Sequence, residues 1–198
     1  MMVKRLYVHE SIYDEFRTKL AQFVSSLPVG DGTKPDTFFG PVQNSMQFDK
    51  VRDLFIDTAK LGVPMALGGD IPDSSKNPGY FITPTIVDNP PESSRIVQEE
   101  PFGPILPMLK WSDEDDVIQR ANATDSALGA SVWTSDMDRA TKIALQIEAG
   151  SVWVNSHFDL KPNVPFGGHK GSGIGMENGQ VGILGYCNPQ TLWLKKTP

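Results

Sequence analysis

Apolar residues recur along the chain with two different spacings, which predict alternating strands and helices. Short runs rich in apolar and β-branched residues predict strands over residues 6–8, 65–67, 80–87, 105–110, 128–134, 151–155 and 191–196. The run over residues 128–134 is apolar enough to predict a buried strand. Pro84 interrupts the run over 80–87 and indicates a sheet edge or a bulge there.

Apolar residues three or four positions apart dominate four other segments and predict helices. We expect these helices to begin at Ser11, at Asn44 or Ser45, at Ser112 and at Asp136, because short polar side chains cap helix N-termini. Their apolar faces are Phe16, Leu20, Phe23 and Val24; Phe48, Val51, Phe55 and Ile56; Val117, Ile118 and Ala121; and Ile143 and Ile147. Ends are predicted for three of them, at Leu27-Pro28, Gly62 and Gly150.

This alternation predicts an α/β fold in which a mostly parallel, twisted sheet is flanked by helices. In such sheets ligands collect at the carboxyl ends of the strands, which places Asn155 and the loop after it near a site. The composition shows no domain boundary, and residues 77–79 (NPG) indicate a surface loop. The segment from about Cys187 is either an arm that pairs with another copy or an edge strand of the chain's own sheet.

The composition is that of an ordinary globular domain and limits the partners of the chain. A net charge of -6 and a pI near 5.0 argue against nucleic acid or an anionic membrane as the main partner. We find neither an apolar run of about 20 residues, which a membrane span needs, nor the pattern of a signal peptide. A single cysteine favours a reducing, cytoplasmic location, and cysteine and histidine are too sparse for a zinc cluster.

An acidic pair followed by a rigid aromatic corner is the first candidate site. Residues 99–104 (EEPFGP) restrict the backbone around one phenylalanine with two prolines and a glycine. A carboxylate held there can accept hydrogen bonds from ribose hydroxyls, and the ring can pack on a nicotinamide face. The alternative is a solvated acidic turn with the phenylalanine in the core, and the spacing alone favours that alternative.

A glycine-rich segment is the second candidate site. Residues 165–175 (PFGGHKGSGIG) contain five glycines within nine positions, which permits positive φ angles or close backbone approach. They carry no G-x-G-x-x-G between a strand and a helix and no G-K-[ST], so a phosphate cradle and a kinase-like domain are not indicated. Cys187 has no histidine nearby in sequence and no helix N-terminus to activate it, so we do not expect a nucleophile there.

Together the two motifs resemble the aldehyde dehydrogenase superfamily, which oxidises aldehydes to acids with NAD or NADP. The resemblance implies that Glu100 binds the ribose on the nicotinamide side and that Phe102 packs on the nicotinamide. Residues 46–50 (MQFDK) resemble a short helical segment that touches the same ribose in this family. This second match implies cofactor contacts from Gln47 and Lys50.

An aldehyde pocket is also implied by the resemblance. Phe166 would form a wall of that pocket, and Asn155, Phe158 and Leu160 would line it further. His157 is expected to line the pocket or lie on the surface, because the family uses a glutamate as its base rather than a histidine.

The resemblance covers essentially the whole chain. It implies an incomplete aldehyde dehydrogenase catalytic domain over residues 1–186 and an oligomerisation arm or strand over 187–198. The nucleophilic cysteine, the glutamate base and the dinucleotide-binding domain would lie upstream of residue 1, so neither a catalytic residue nor a metal site is assigned to this chain. Met176 replaces the arginine that usually follows the glycine loop in this family, whereas Glu177 is kept, so that arginine's ion pairs are not expected here.

Two classes of function remain open at this point. In the first, the chain is part of an NAD(P)-dependent aldehyde dehydrogenase that acts through a cysteine thiohemiacetal and thioester and assembles as a homodimer or tetramer. The isolated chain would then be inactive, with weak or no cofactor binding. In the second, it is a non-catalytic dimerising or interaction module with the same fold. A piece of a larger enzyme should expose apolar surface and self-associate, whereas an independent module should be monodisperse.

Overall fold

The computed structural model describes residues 3–75 and 79–197 and divides the chain into two compact units, Met1–Val117 and Ile118–Pro198. Asn77 and Pro78 of the predicted surface loop lie outside the described residues. The composition does not reveal the division because the boundary lies inside a helix, Glu114–Asn122, rather than in a linker.

The first unit is built on a four-stranded mixed sheet with the strand order β1-β4-β3-β2. Its elements are β1 (Leu6–His9), α1 (Glu10–Ser25), α2 (Ser45–Lys60), β2 (Met65–Leu67), β3 (Thr85–Asp88), α3 (Arg95–Gln98), β4 (Ile105–Trp111) and the start of α4 (Glu114–Asn122). Strand β4 runs parallel to both β1 and β3, and β2 lies antiparallel to β3. The predicted α/β class with a mostly parallel sheet is therefore confirmed.

Helices flank this sheet on both faces because side chains along each strand alternate between two apolar clusters. On β4, Ile105 and Leu109 belong to the cluster that includes residues of α2 and α3, whereas Met108 belongs to the cluster formed with α1. On β3, Val87 and Ile86 divide between the same two clusters. Each fully buried side chain of this size contributes about 2 kcal/mol of hydrophobic stabilisation.

The second unit contains two small sheets. Its remaining elements are β5 (Ser126–Ala127), β6 (Gly129–Val132), α5 (Met137–Ala144), β7 (Ser151–Val154), β8 (His169–Lys170) and α6 (Gly179–Leu184). Strands β6 and β7 are parallel and joined through α5, and β5 pairs with β8 in an antiparallel arrangement. The parallel pair carries the loop with the predicted aldehyde-pocket residues.

Two predicted helix starts are wrong. Helix α1 follows β1 directly and is capped by His9, whose Nδ1 accepts the N–H of Ser11 at 3.2 Å, so Ser11 is not the cap. Helix α4 begins after Asp113, whose Oδ1 accepts the N–H of Asp116 at 2.8 Å, and not at Ser112. A carboxylate is the stronger acceptor for the exposed N–H groups of a helix start. The caps of α2 and α5 are confirmed as Asn44 and Asp136.

Three other predicted elements are shorter or less buried than expected. The strand predicted over residues 80–87 starts only at Thr85, directly after Pro84, because proline has no N–H for the ladder. Strand β6 is half-buried rather than buried, since within its two-stranded sheet it pairs with β7 alone. Helix α5 ends at Ala144, so Ile147 lies beyond it.

The last residues of the chain form no strand among those that the structure describes. Leu192, Trp193 and Leu194 are all exposed, and Trp193 is 90% accessible. The expectation of a strand over residues 191–196 at the edge of the chain's own sheet is therefore wrong, and the arm that pairs with another copy stays a prediction. Across residues 3–75 and 79–197, the search for helices long and apolar enough to cross a membrane finds none.

Candidate functional site

An exposed phenylalanine stands between two buried residues at the aromatic corner of the first unit. Pro101 and Gly103 are buried, whereas Phe102 is 64% exposed. Gly103 packs so closely on α2 that an added Cβ would lie 2.6 Å from Val51 Cγ2, which only glycine avoids. The backbone of Phe102 has φ +48°, in the left-handed region. The corner is thus anchored on both sides and presents one aromatic ring outwards.

Side chains from the first turns of α2 bind the carbonyl groups of this corner. Gln47 Nε2 lies 2.8 Å from the Pro101 carbonyl oxygen and 3.4 Å from that of Phe102. Lys50 Nζ donates to the Glu100 carbonyl at 3.3 Å and lies 5.9 Å from the centroid of the Phe102 ring, within cation–π range. The structure therefore brings together the four residues predicted to bind the cofactor.

The two glutamates of the corner have different surroundings. Arg95 Nε donates to Glu99 Oε1 at 2.6 Å, and this hydrogen bond holds the pKa of Glu99 below its usual range. Arg95 Nη1 also binds Asp53 of α2 at 2.9 Å, and both partners raise the pKa of Arg95. The carboxylate of Glu100 is exposed and has no partner within residues 3–75 and 79–197. Glu100 is thus the carboxylate of the pair that can accept hydrogen bonds from a ligand.

The Arg95 network was missed in the sequence. Its signal is the spacing of Arg95 and Glu99, four residues apart, which places the two side chains on one face of a helical turn. The contact between Arg95 and Asp53 joins α3 to α2 over 42 residues of sequence, so no local pattern indicates it.

Aromatic rings gather around the loop after β7 in the second unit. The ring centroids of Trp153 and Phe158 are 6.5 Å apart, and those of Phe158 and Phe166 are 6.4 Å apart. Leu160 and Phe166 line a cleft of about 250 Å³, whose other lining residues are Gly150, Ser151, Val152, Trp153, Asp159, Lys161, Val164 and Pro165. Two of the four predicted pocket residues thus line one cleft, and a third, Phe158, stacks edge-on beside it.

Asn155, the fourth predicted pocket residue, uses its side chain to hold the ends of β6 and β7. Its Oδ1 accepts the N–H of Thr134 at 2.9 Å, and its Nδ2 donates to the Thr134 carbonyl at 2.9 Å. Its backbone has φ +52°, a conformation that asparagine tolerates better than most residues. This geometry fixes where the loop leaves the sheet.

The glycine-rich segment packs against neighbouring backbone. A Cβ on Gly150 would collide with the carbonyl of Gly167, and a Cβ on Gly167 would collide with the side chain of Met176. Phe166 and Glu177 exchange two backbone hydrogen bonds of 2.7 Å. Close packing therefore accounts for these glycines without a bound phosphate, as the sequence indicated, and Met176 fills space beside the loop.

His157 and Cys187 occupy different environments. His157 Nδ1 lies 3.2 Å from Ser131 Oγ, and its ring meets Trp153 edge-on at 5.5 Å. Its Nε2 is buried and has no hydrogen-bond partner in the described part of the chain. Cys187 is exposed beyond the end of α6, where its thiol donates to the Ile183 carbonyl at 3.5 Å. A search of the described residues for three or more His, Cys, Asp or Glu able to hold a metal finds no such group.

The chain matches the model of the aldehyde dehydrogenase family over residues 1–192. It belongs to this family. An aldehyde dehydrogenase from Fusarium sp, LUC3, is 39% identical over 98% of the chain, and a cytosolic aldehyde dehydrogenase 2 from Macroscelides proboscideus is 38% identical over 96% of it. The chain spans 41% of the first relative and 78% of the second.

Solved structures of aldehyde dehydrogenases share its fold. The NAD+ complex of the Bacillus cereus enzyme aligns with a TM-score of 0.91 at 30% identity, covering 98% of this chain and 39% of that one. The Mycobacterium tuberculosis enzyme, also in complex with NAD+, aligns with a TM-score of 0.85 at 36% identity, covering 92% of this chain and 38% of that one. Both neighbours are therefore much longer than the part that this chain matches.

Proposed function

We propose that this chain supplies the nicotinamide-side cofactor contacts and part of the aldehyde pocket of an enzyme that oxidises aldehydes to carboxylic acids with NAD or NADP. The observation that carries the proposal is the corner of the first unit, where an exposed ring and an unpaired carboxylate stand on an anchored backbone. The membership of the aldehyde dehydrogenase family and the NAD+ complexes among its structural neighbours support it.

The residues at the corner fit a nicotinamide riboside chemically. The Glu100 carboxylate would accept hydrogen bonds from the two ribose hydroxyls, and the Phe102 ring would pack on the flat nicotinamide. Gln47 Oε1 is an acceptor on the same surface, and Lys50 adds a positive charge beside the ring. The nicotinamide, when bound, supplies the acceptor for the hydride of the aldehyde.

The cleft in the second unit fits the body of an aldehyde. Leu160, Phe166 and Trp153 give it apolar walls, and the Lys161 ammonium pairs with Asp159 at 3.0 Å rather than standing alone. Phe158 and Asn155 enter the proposal as the residues that shape the loop around this cleft. Such walls bind the substrate and exclude water from it.

The covalent chemistry is assigned to groups outside these 198 residues. In the proposed reaction a cysteine thiolate forms a thiohemiacetal, which becomes a thioester and is hydrolysed by water that a glutamate activates. Cys187 is the one cysteine of the chain, and it is exposed with no base beside its thiol among the described residues. The isolated chain should therefore produce no NADH from an aldehyde and NAD, and turnover at an ordinary enzyme rate would contradict this part of the proposal.

A chimera tests the cofactor role directly. Residues 3–192 of this chain would replace the matching segment of the Bacillus cereus aldehyde dehydrogenase, and NADH formation would be followed by absorbance. Loss of hydrogen bonds to a charged group predicts that Glu100→Gln raises the KM for NAD roughly tenfold or more. Asp49→Asn, which neutralises another exposed carboxylate on α2, is the matched control and should leave that KM unchanged. Equal KM values for a folded chimera and its Glu100→Gln variant would contradict the proposal.

Assembly and location complete the proposal. A homodimer or tetramer is supported by the exposed apolar residues of the C-terminal segment, including Leu192 and Trp193. A cytoplasmic location is supported by the single free cysteine and by a relative whose name describes it as cytosolic.

A further inference from the structure

The torsions of Phe102 are held by one side chain from another element. A phenylalanine at φ +48° is in a region that costs an L-residue on the order of 1–2 kcal/mol, so surrounding contacts must maintain it. The carbonyl of Pro101 belongs to the peptide unit before the Phe102 Cα, and the carbonyl of Phe102 belongs to the unit after it. Both carbonyl oxygens lie within hydrogen-bond distance of Gln47 Nε2, at 2.8 and 3.4 Å. A donor that binds both peptide units restrains φ and ψ of Phe102 together.

Gln47 is itself fixed before it meets the corner. Its backbone N–H donates to Asn44 Oδ1 at 2.9 Å, which is the N-cap contact of α2. The next residue, Phe48, is buried in the core cluster of the first unit, which prevents rotation of this helical turn. The carboxamide therefore reaches the corner from a rigid base.

We propose that Gln47 is a positioning residue, which holds Phe102 in its left-handed conformation and so directs the ring outwards. Both N–H groups of its carboxamide are directed at the corner, so the part of Gln47 that faces a ligand is at most its Oε1. The consequence for cofactor affinity rests on the proposed function, whereas the restraint on Phe102 does not.

Nuclear magnetic resonance of the isotope-labelled chain at neutral pH tests the restraint. A positive φ brings the amide and Hα protons of one residue unusually close, so Phe102 should show a strong intraresidue cross-peak in the parent chain. Gln47→Glu replaces the donor with a carboxylate, and we expect this cross-peak to weaken to the level of residues with negative φ. Gln47→Lys restores a donor and should retain it.

Gln43→Glu is the matched control, because it adds the same charge at the start of α2 from an exposed position just before the cap. It should leave the Phe102 cross-peak unchanged. A strong cross-peak in Gln47→Glu would overturn the proposal, and so would its loss in Gln43→Glu, which would indicate a general effect of charge. Unchanged amide resonances for Ile86 and Val87 of β3 verify that each variant is folded.

The chimera separates this inference from the proposed function. If Gln47→Glu displaces Phe102 and raises the KM for NAD roughly tenfold, as loss of one hydrogen-bonded contact predicts, both are supported. If Phe102 is displaced and the KM does not change, the positioning role stands and the cofactor role of Phe102 fails.

Discussion

At the scale of single residues, the exposure of Phe102 depends on the burial of its neighbours. Pro101 and Gly103 fill space against the core, and the ring between them has nowhere to go but outwards. The sequence alone favoured a core phenylalanine, because large apolar residues are usually buried. What reverses that expectation is the contact between Gly103 and Val51, which joins segments far apart in sequence.

Substitution of Gly103 tests this packing. Gly103→Ala should lower the free energy of unfolding by about 1–3 kcal/mol, because its Cβ would lie 2.6 Å from Val51 Cγ2 in a tightly packed site. Urea denaturation followed by circular dichroism measures the change. Gly32→Ala is the control, since an added Cβ there meets nothing within 4 Å, and its effect should stay within about 0.5 kcal/mol. Equal stability of the two variants would argue against the close contact.

At the scale of elements, a buried polar network connects α1 to the sheet. The Tyr13 hydroxyl donates to Asp88 Oδ1 at 2.5 Å, and Arg17 Nη1 donates to Asp88 Oδ2 at 2.8 Å. Burial, followed by the hydrogen bond to Asp88, raises the pKa of Tyr13, so the hydroxyl keeps its proton. The network fixes how α1 lies over β3 and β4.

Removing the Tyr13 hydroxyl should therefore destabilise the chain. Tyr13→Phe keeps the ring but deprives a buried carboxylate oxygen of its donor, and we expect a loss of about 1–3 kcal/mol in the free energy of unfolding. Tyr186→Phe makes the same chemical change at a side chain that is 94% exposed and should cost almost nothing. Matching urea midpoints for the two variants would rule out a stabilising role for the network.

The ion pairs of Arg95 make the attachment of α3 to α2 dependent on pH. Because Arg95 lowers the pKa of Glu99 in the folded chain, the stabilisation is present above the ordinary glutamate pKa, about 4.3, and is lost as the pH falls through the lowered value. Both side chains are more than a third exposed, so solvent screening limits the contribution to about 0.5–1 kcal/mol.

Stability measured as a function of pH isolates this contribution. Glu99→Gln should be less stable than the parent chain at pH 7, and the difference should shrink towards pH 3. Glu100→Gln, which removes an unpaired carboxylate one residue further on, should show no such dependence. A constant difference for Glu99→Gln across this range would show that its side chain does not act through charge.

At the scale of the whole molecule, local patterns and long-range contacts were predictable to different degrees. The strands β1, β2, β4 and β7 and the cap Asn44 follow from spacing and polarity, because these signals act within a few residues. Gln47 and Lys50 came from resemblance, and their hydrogen bonds to the corner connect positions about 50 residues apart. The division into two units was not predictable because it falls inside α4, which has no composition of a linker.

The central claim is that the corner around Glu100 and Phe102 binds the nicotinamide riboside half of the cofactor. Titration of the labelled chain with nicotinamide mononucleotide, followed through its amide resonances, tests this claim most directly. We predict saturable shifts at Glu100, Phe102 and Gln47, weakened in Glu100→Gln, unchanged in Asp49→Asn and not reproduced by adenosine monophosphate. Identical shifts with adenosine monophosphate, or shifts confined to residues away from the corner, would contradict the account.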